Sequence, residues 1–310
     1  MNEFELINLL TRSLPAHPDV LVGPGDDCAV LDLRIPGRVL LFKTDAVVEG
    51  VHFLPETPRA LVGRKALARA LSDIAAMGGT PTAALVTLAL PKTFDPAQVQ
   101  QIYDGMRTVA DPHQVAIAGG ETTTNPDRLL ISIALIGWAP SGKAILRSGA
   151  KPGDAIFVTG ELGGSLAGRH LEFDPRLEQG RWLANNFDLH SMIDLSDGLA
   201  GDLRHILNAS HVGAELMKDS VPISRAAKVR AKAETLAKPP FLAALTDGED
   251  FELLFTVSSK DAVPVLDGWK ARFPELKLTC IGKVVTGSGI TLRDKQGVRP
   301  LTSHGYVHFS

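Results

Sequence analysis

Cysteine is scarce in this chain: two residues, Cys28 and Cys280, in 310. They form no Cys-x-x-Cys pair, which excludes a zinc knuckle or a thioredoxin-type thiol site. So few thiols suit a reducing compartment. No sign of charge dominates, because 32 Lys and Arg stand against 35 Asp and Glu for a net charge of −3. That excludes a protein built mainly to coat nucleic acid or an acidic membrane. Long apolar runs are missing. The longest, Leu129 to Trp138, has ten residues including Ser132, too short to span a bilayer. Met1-Asn2-Glu3-Phe4-Glu5 is acidic where a secretory signal would be basic. The expectation is a soluble, cytoplasmic protein without nucleic-acid or membrane partners. The nine histidines include no His-Glu-x-x-His, and neither a Gly-x-x-x-x-Gly-Lys-Ser/Thr loop nor the protein-kinase signature set occurs. A zinc hydrolase and a P-loop enzyme are thereby set aside.

What the chain has instead is aspartate, 22 against 13 glutamates. Aspartate is the shorter, stiffer carboxylate, favoured in turns, at helix caps and around hard cations. Gly25-Asp26-Asp27, Asp197-Gly198 and Asp247-Gly248 put several beside glycine. Asp26 and Asp27 follow a Gly-Pro-Gly turn and repel each other unless a cation or a donor cluster sits between them. Asp45, with Thr44, ends an apolar strand. Asp73 lies near the C-terminus of a helix read over 59–77, one residue before core position Ile74. There it meets the negative end of the helix dipole, and Arg69 one turn earlier is its local partner. Asp194 interrupts an apolar strand and needs a buried partner. Ser196 and Asp197 read as caps of the next helix. Asp247, Glu249 and Asp250 share a turn before a strand over 251–257. These scattered oxygen ligands suit Mg²⁺. The other reading is turn or cap chemistry for the acids in turns and at helix starts, and a pair with Arg69 for Asp73.

Apolar periodicity gives helices over 3–13, over 59–77 and after Asp95-Pro96, where Asp95 is an N-cap and Pro96 an N1 proline. Strands are read at 28–33, 39–43, 82–90, 114–118, 129–137, 155–159, 191–195, 278–285 and 289–293. Gly119-Gly120-Glu121-Thr122-Thr123 reads as a glycine-bearing strand end that a phosphate could approach, or as a hairpin turn. Breaker-rich residues 139–153 place a boundary between a domain over 1–140 and another over 141–310. The mixture of strands and helices in both halves predicts two α/β or α+β domains.

Seven stretches occur in the order found in the thiamine-monophosphate kinases, and the chain resembles that family over nearly its whole length. They are Gly25-Asp26-Asp27, Thr44 to Phe53, Ser72 to Gly79, Gly119 to Thr122, Arg147 to Asp154, Ile193 to Leu199, and Gly248 to Phe255. Glu49-Gly50-Val51-His52-Phe53 separates this family from its relatives. The resemblance implies an aminoimidazole ribonucleotide synthetase-like fold: an N-terminal ATP-, Mg²⁺-binding and dimerisation domain, a C-terminal α/β domain, and a homodimer paired through N-terminal-domain strands. It implies phosphorylation of thiamine phosphate by ATP, the last step of thiamine diphosphate biosynthesis. By the same resemblance Asp27, Lys43, Thr44, Asp45, Asp73, Glu121, Asp194 and Asp197 would hold several Mg²⁺ ions. Tyr103, Gly120, Glu121, Arg147 and Ser196 would serve ATP. His52, Glu249 and Tyr306 would contact thiamine phosphate. No general base is implied, since the acceptor is already an anionic phosphate oxygen.

Three positions depart from the family's pattern. Glu121 stands where Asp is usual, Lys43 where Ser or Thr is frequent, and Asp247 where a Gly-Gly pair would begin. Two other readings remain open: an amidine-forming ligase of the same superfamily, which would ignore thiamine phosphate, and a nucleotide- and Mg²⁺-binding protein without turnover. Without the resemblance, Tyr103 would be core, Tyr306 a packing group, His52 a structural histidine and Arg147 a partner of Asp154.

Overall fold

The computed structural model describes residues 3–11, 15, 17–302 and 305. In chain order the main elements begin with α1 (Glu3–Thr11), β1 (Val20–Val22), β2 (Ala29–Leu31), β3 (Arg38–Val48), α2 (Arg59–Ala76), β4 (Thr80–Leu90), α3 (Pro96–Ala110), β5 (Ala116–Thr124) and β6 (Leu130–Pro140). They continue with β7 (Ala155–Thr159), α4 (Arg169–Glu172), α5 (Leu177–Asn186), β8 (Leu189–Asp194), α6 (Leu199–Ser210), β9 (Gly213–Met217), α7 (Arg225–Ala233) and α8 (Pro240–Thr246). The chain closes with β10 (Leu253–Val257), α9 (Ala262–Arg272), β11 (Leu278–Val285), β12 (Gly289–Asp294) and β13 (Gly297–Pro300).

These elements form two compact units. The first is Pro18–Ala144 with Gly168–Arg181; the second is Ile145–Ala167 with Trp182–Ser310 and the N-terminal segment carrying α1. Chain thus returns to the first unit after the breaker-rich stretch. Arg64 holds it there, donating to the carbonyls of Glu172 and Phe173 at 3.0 Å each.

The first unit is a six-stranded sheet in the order β1-β2-β3-β6-β4-β5, antiparallel except for β4 and β5. The parallel pair is joined through α3, because a hairpin cannot connect parallel strands. Side chains alternate across β3, β6 and β4. Leu41, Val47, Ile131, Ile133, Leu135, Ala139, Val86 and Leu88 are buried on one face. α2 packs on that face and is buried along most of its length. Met77 caps it, and the Gly78 and Gly79 N–H groups return to Ala75 and Ile74. The opposite face carries Phe42, 46% exposed, and Leu85, 51% exposed, beside Ala134 and Ile136.

The second unit is a seven-stranded sheet in the order β13-β12-β9-β11-β7-β10-β8, antiparallel except for β9 with β12. Every residue of the central strands β7 and β10 is buried. Both faces of this sheet are therefore covered, which is why these strands read as continuous apolar runs. On one face α6 packs through Leu199, Leu203, Ile206 and Leu207 against Ile156, Val158, Ile193 and Leu254. Phe157 and Phe255, paired in register, stack at 5.4 Å. Trp182 meets Trp269 and Phe273 edge to face in the same unit, and those two rings pack at a tilt 4.9 Å apart.

Several elements differ from the sequence reading. β3 runs past Thr44-Asp45 to Val48, and β5 continues through Gly119 to Thr124, because both are held in register by neighbouring strands. α6 begins at Leu199 with Gly198 as its N-cap and no side-chain cap bond, so neither Ser196 nor Asp197 caps it. Tyr103 is half-buried, while Ile102, Met106 and Val109 carry the buried face of α3. The Asp95 cap is present, accepting from the Ala97 N–H at 2.9 Å.

α2 and α3 cross with their backbones in contact. A Cβ on Gly63 would lie 1.9 Å from the Ile102 carbonyl oxygen, and one on Gly105 would lie 1.8 Å from that of Ala60. Gly63→Ala or Gly105→Ala is therefore expected to destabilise the protein by about 3 kcal/mol, since the helices must separate to accept a methyl group. Denaturant melts of the purified variants check this; an unchanged midpoint would contradict the backbone contact.

Candidate active site

In the first unit the implied site residues gather where α2 ends over the centre of β3. Lys43 and Asp45 are two residues apart on one face of the strand, and Arg69 and Asp73 are one turn apart on the helix. The strand's and the helix's spacings are both about 6–7 Å, so the four groups interleave. Lys43 Nζ lies 2.9 Å from Asp73 Oδ1, and Arg69 Nε lies 3.1 Å from Asp45 Oδ2. The cation facing Asp73 thus comes from the neighbouring strand, while Arg69, its expected partner within the helix, turns to Asp45. Burial pulls the Lys43 ammonium toward neutrality, but Asp73 and then Asp45 outweigh it, so its pKa is raised overall.

Asp27, 1% exposed, joins this group from the loop before β2, and carboxylate oxygens of Asp27 and Asp73 lie within 4.8 Å of each other. Two buried carboxylates this close repel each other, and Lys43 is the cation beside them. The neighbouring Cys28 thiol responds to the same field: burial first, then Asp73, pushes its pKa up. Its N–H donates to the Met77 sulfur at 3.2 Å.

Thr44 and Glu121 lie elsewhere. Alternation puts Thr44 on the open face of the sheet, and Glu121, exposed on edge strand β5, accepts from the Thr122 N–H at 2.8 Å. Gly120 beside it packs backbone to backbone: a Cβ there would sit 1.8 Å from the Val86 carbonyl oxygen. His52 follows β3 in a tight turn. Its Nδ1 accepts from the Val48 N–H at 3.1 Å, which makes Nε2 the ring's donor when neutral. Its carbonyl receives the ammonium of Lys65 at 2.6 Å. That lysine is completely buried in α2 and also meets His170 Nδ1 at 2.7 Å.

In the second unit Asp194, 4% exposed, ends β8. The following loop is bonded to the acidic turn before β10. Glu249 N–H donates to the Ser196 carbonyl at 2.7 Å, Phe251 N–H to that of Leu195 at 2.8 Å, and Leu195 N–H to that of Glu252 at 2.8 Å. Glu249 and Phe251 both adopt left-handed backbone, with φ of 53° and 50°. That conformation costs roughly 1–2 kcal/mol for a residue with a Cβ and persists only when its surroundings enforce it.

Ligand atoms of Asp197, Asp202 and His205 lie within 4.8 Å of one another. Asp202 is fully buried and accepts from the Asp197 N–H at 3.0 Å. Burial first, then Asp197 and Asp194, push its pKa up against that hydrogen bond and the charge of Arg147. Arg147 is half-buried, and its carbonyl accepts from the Ser210 hydroxyl at 3.3 Å. The Asp154 carboxylate holds His190 at 2.7 Å and the Lys151 N–H at 2.8 Å. Tyr306 lies outside the described residues.

Residues 25–139 match the family model for the N-terminal domain of AIR synthase related proteins. The chain is 44% identical over 292 residues to the thiamine-monophosphate kinase of Rhodopirellula baltica, covering 91% of this chain and 88% of that protein. The chain belongs to the thiamine-monophosphate kinase family. The Escherichia coli K12 member is 38% identical, with 99% of this chain and 98% of that protein covered. The solved structure of AaThiL complexed with AMPPCP and TMP superposes with a TM-score of 0.84 at 30% identity, covering 99% of this chain and 97% of that one. Members of the family are kinases, enzymes of the transferase type, and the fold is the AIR synthase-like one.

Sequence reasoning passed over Asp202, His205 and Lys65. The first two carried a signal: an acid in the first turn of a helix and a histidine three residues on share one face, beside an aspartate already singled out. Lys65 carried none, because a lysine in an amphipathic helix reads as a solvated face.

Proposed function

We propose that this protein transfers the γ-phosphoryl group of ATP to thiamine phosphate, giving thiamine diphosphate and ADP, the last step of thiamine diphosphate biosynthesis. The observation that carries this is the full-length match to AaThiL holding AMPPCP, an ATP analogue, together with TMP. An acceptor phosphate oxygen attacks the γ-phosphorus, the bond from that phosphorus to the β-bridging oxygen breaks, and ADP leaves. The nucleophile is already an anion, so no side chain has to remove a proton. The difficulty is holding two polyanions together.

The donor set fits Mg²⁺. Asp27, Asp45 and Asp73 offer only oxygen, and Asp27 and Asp73 lie within 4.8 Å of each other. Mg²⁺, when bound, would neutralise phosphate oxygens and the charge that develops in transfer. In the first unit Asp27, Asp45 and Asp73, with the Lys43 carbonyl, are the proposed ligands of one Mg²⁺ site, and Thr44 and Glu121, which lie apart from them, are assigned to another of several ions. In the second unit the proposed ligands are Asp194 and Asp197. Tyr103, Gly120, Glu121, Arg147 and Ser196 are assigned to ATP, with Arg147 supplying a planar cation to phosphate oxygens. His52 offers its Nε2–H to thiamine phosphate, and Glu249 and Tyr306 are assigned to the same substrate. The 1–140 region is proposed as the nucleotide, metal and dimerisation domain and 141–310 as the C-terminal domain. Two free thiols fit a cytoplasmic setting.

Purified protein given ATP, Mg²⁺ and thiamine phosphate is expected to form thiamine diphosphate, resolved by chromatography, and to lose at least about a hundredfold in rate on Asp73→Asn. No product from a folded protein that binds ATP would refute the assignment.

The homodimer is proposed through the open face of the first sheet, where Phe42, Leu85, Ala134 and Ile136 leave apolar surface in water. Light scattering is expected to give twice the 33.1 kDa chain mass, and Ala134→Arg, a charge at the middle of that face, to give the monomer. A monomeric wild type would refute the pairing.

A further inference from the structure

We infer that the acidic run Asp247–Glu252 divides its labour: Asp247, Asp250 and Glu252 are braces, Glu249 is the group they present, and Asp250 is the positioning residue that fixes it. The inference rests on the reading of Glu249 as a contact of thiamine phosphate.

Three of the four carboxylates are buried and bonded to the end of β7 or the chain that follows it. Asp250, 1% exposed, accepts the Gly163 N–H with both carboxylate oxygens at 3.0 Å. Asp247 accepts the Gly164 N–H at 3.2 Å and pairs with Arg230 at 2.6 Å and Lys238 at 3.1 Å. Glu252, 1% exposed, accepts the Thr159 hydroxyl at 2.6 Å, and that hydroxyl in turn accepts the Leu253 N–H at 2.9 Å. One flank of the acidic turn is therefore tied to residues 159–164. The other is tied by backbone bonds to Leu195 and Ser196.

Glu249 differs from its neighbours in being half-buried rather than buried. It adopts left-handed backbone, as does Phe251, and Asp250 lies between them. A residue with a Cβ leaves that conformation when its restraints are removed. Asp250 supplies the side-chain restraint at the centre of the strained pair, alongside the backbone bonds of Glu249 and Phe251 to Ser196 and Leu195. Without its carboxylate, Glu249 can relax toward a right-handed conformation and swing its side chain away. Asp247 and Arg230 brace the start of the same turn. The aspartate at 247, a departure from the family's glycine pair, here adds an ion-paired anchor with ordinary backbone, φ −73°.

Steady-state kinetics on the full-length protein separate this role from a general structural one. Asp250→Ala is expected to raise KM for thiamine phosphate about tenfold while KM for ATP stays within about twofold, the loss that accompanies one charge-assisted hydrogen bond. Asp250→Asn keeps an oxygen for the Gly163 N–H and is expected to restore most of the affinity. A thiamine phosphate KM unchanged in Asp250→Ala, or both KM values rising together, overturns the inference. Should Asp250→Ala not fold, Arg230→Met decides: about a threefold rise in the same KM supports the brace and no rise overturns it. A wild type that makes no thiamine diphosphate refutes the reading of the site instead. The brace is then judged by hydrogen exchange, where faster exchange of the Glu249 amide in Asp250→Ala, or in Arg230→Met should that variant not fold, supports it and unchanged exchange overturns it.

Discussion

The pairing of Lys43 with Asp73 is the interaction on which the rest of the first unit's site depends. Asp73 is buried at the end of a long helix, where the dipole disfavours an anion, and it has a second buried carboxylate, Asp27, within 4.8 Å. Only a cation makes that arrangement tolerable. Lys43 supplies one from a strand held in register by eleven consecutive pairings with β6. The same register sets Asp45 beside Arg69. A four-group charge lattice thus follows from two ordinary repeats, two residues along a strand and four along a helix. It sets a cation against Asp73 and another against Asp45.

The second unit solves a similar problem with hydrogen bonds. Asp202 is buried near Asp194 and Asp197, and its pKa rises in consequence. It receives the N–H of Asp197, which orients the loop after β8. That loop shares backbone bonds with the acidic turn before β10, so Ser196, Asp197 and Glu249 are parts of one bonded structure. Left-handed residues at 249 and 251 are the local cost, offset by the buried carboxylates around them.

Much of this was legible in the sequence. The helical period over 59–77, the Asp95-Pro96 start and the apolar runs of β7 and β10 all rest on local rules, and local rules sufficed. Asp73 and Asp194 stood out because a carboxylate in an apolar context has few local explanations. What could not be read depends on partners distant along the chain. Nothing near Lys43 indicates that its ammonium meets a residue thirty positions away. The run Asp247-Gly248-Glu249-Asp250 has four turn-like residues but no local mark distinguishing brace from presented group. The second half of β5, from Gly119 on, reads as a strand end or a turn because its glycines break strand propensity; pairing with β4 carries the strand on to Thr124. Ser196 and Asp197 have good capping chemistry, yet backbone bonds to the acidic turn engage this loop and leave Gly198 at the helix start.

Asp27 and Asp73 are proposed to hold a divalent cation that carries the nucleotide. Calorimetric titration of the protein with a non-hydrolysable ATP analogue, in Mg²⁺ and then in EDTA, tests it without turnover. Wild type is expected to bind in Mg²⁺ and to weaken at least about tenfold in EDTA, and Asp27→Asn is expected to bind weakly in both. An Asp27→Asn protein that retains the full Mg²⁺-dependent gain in affinity would contradict the account.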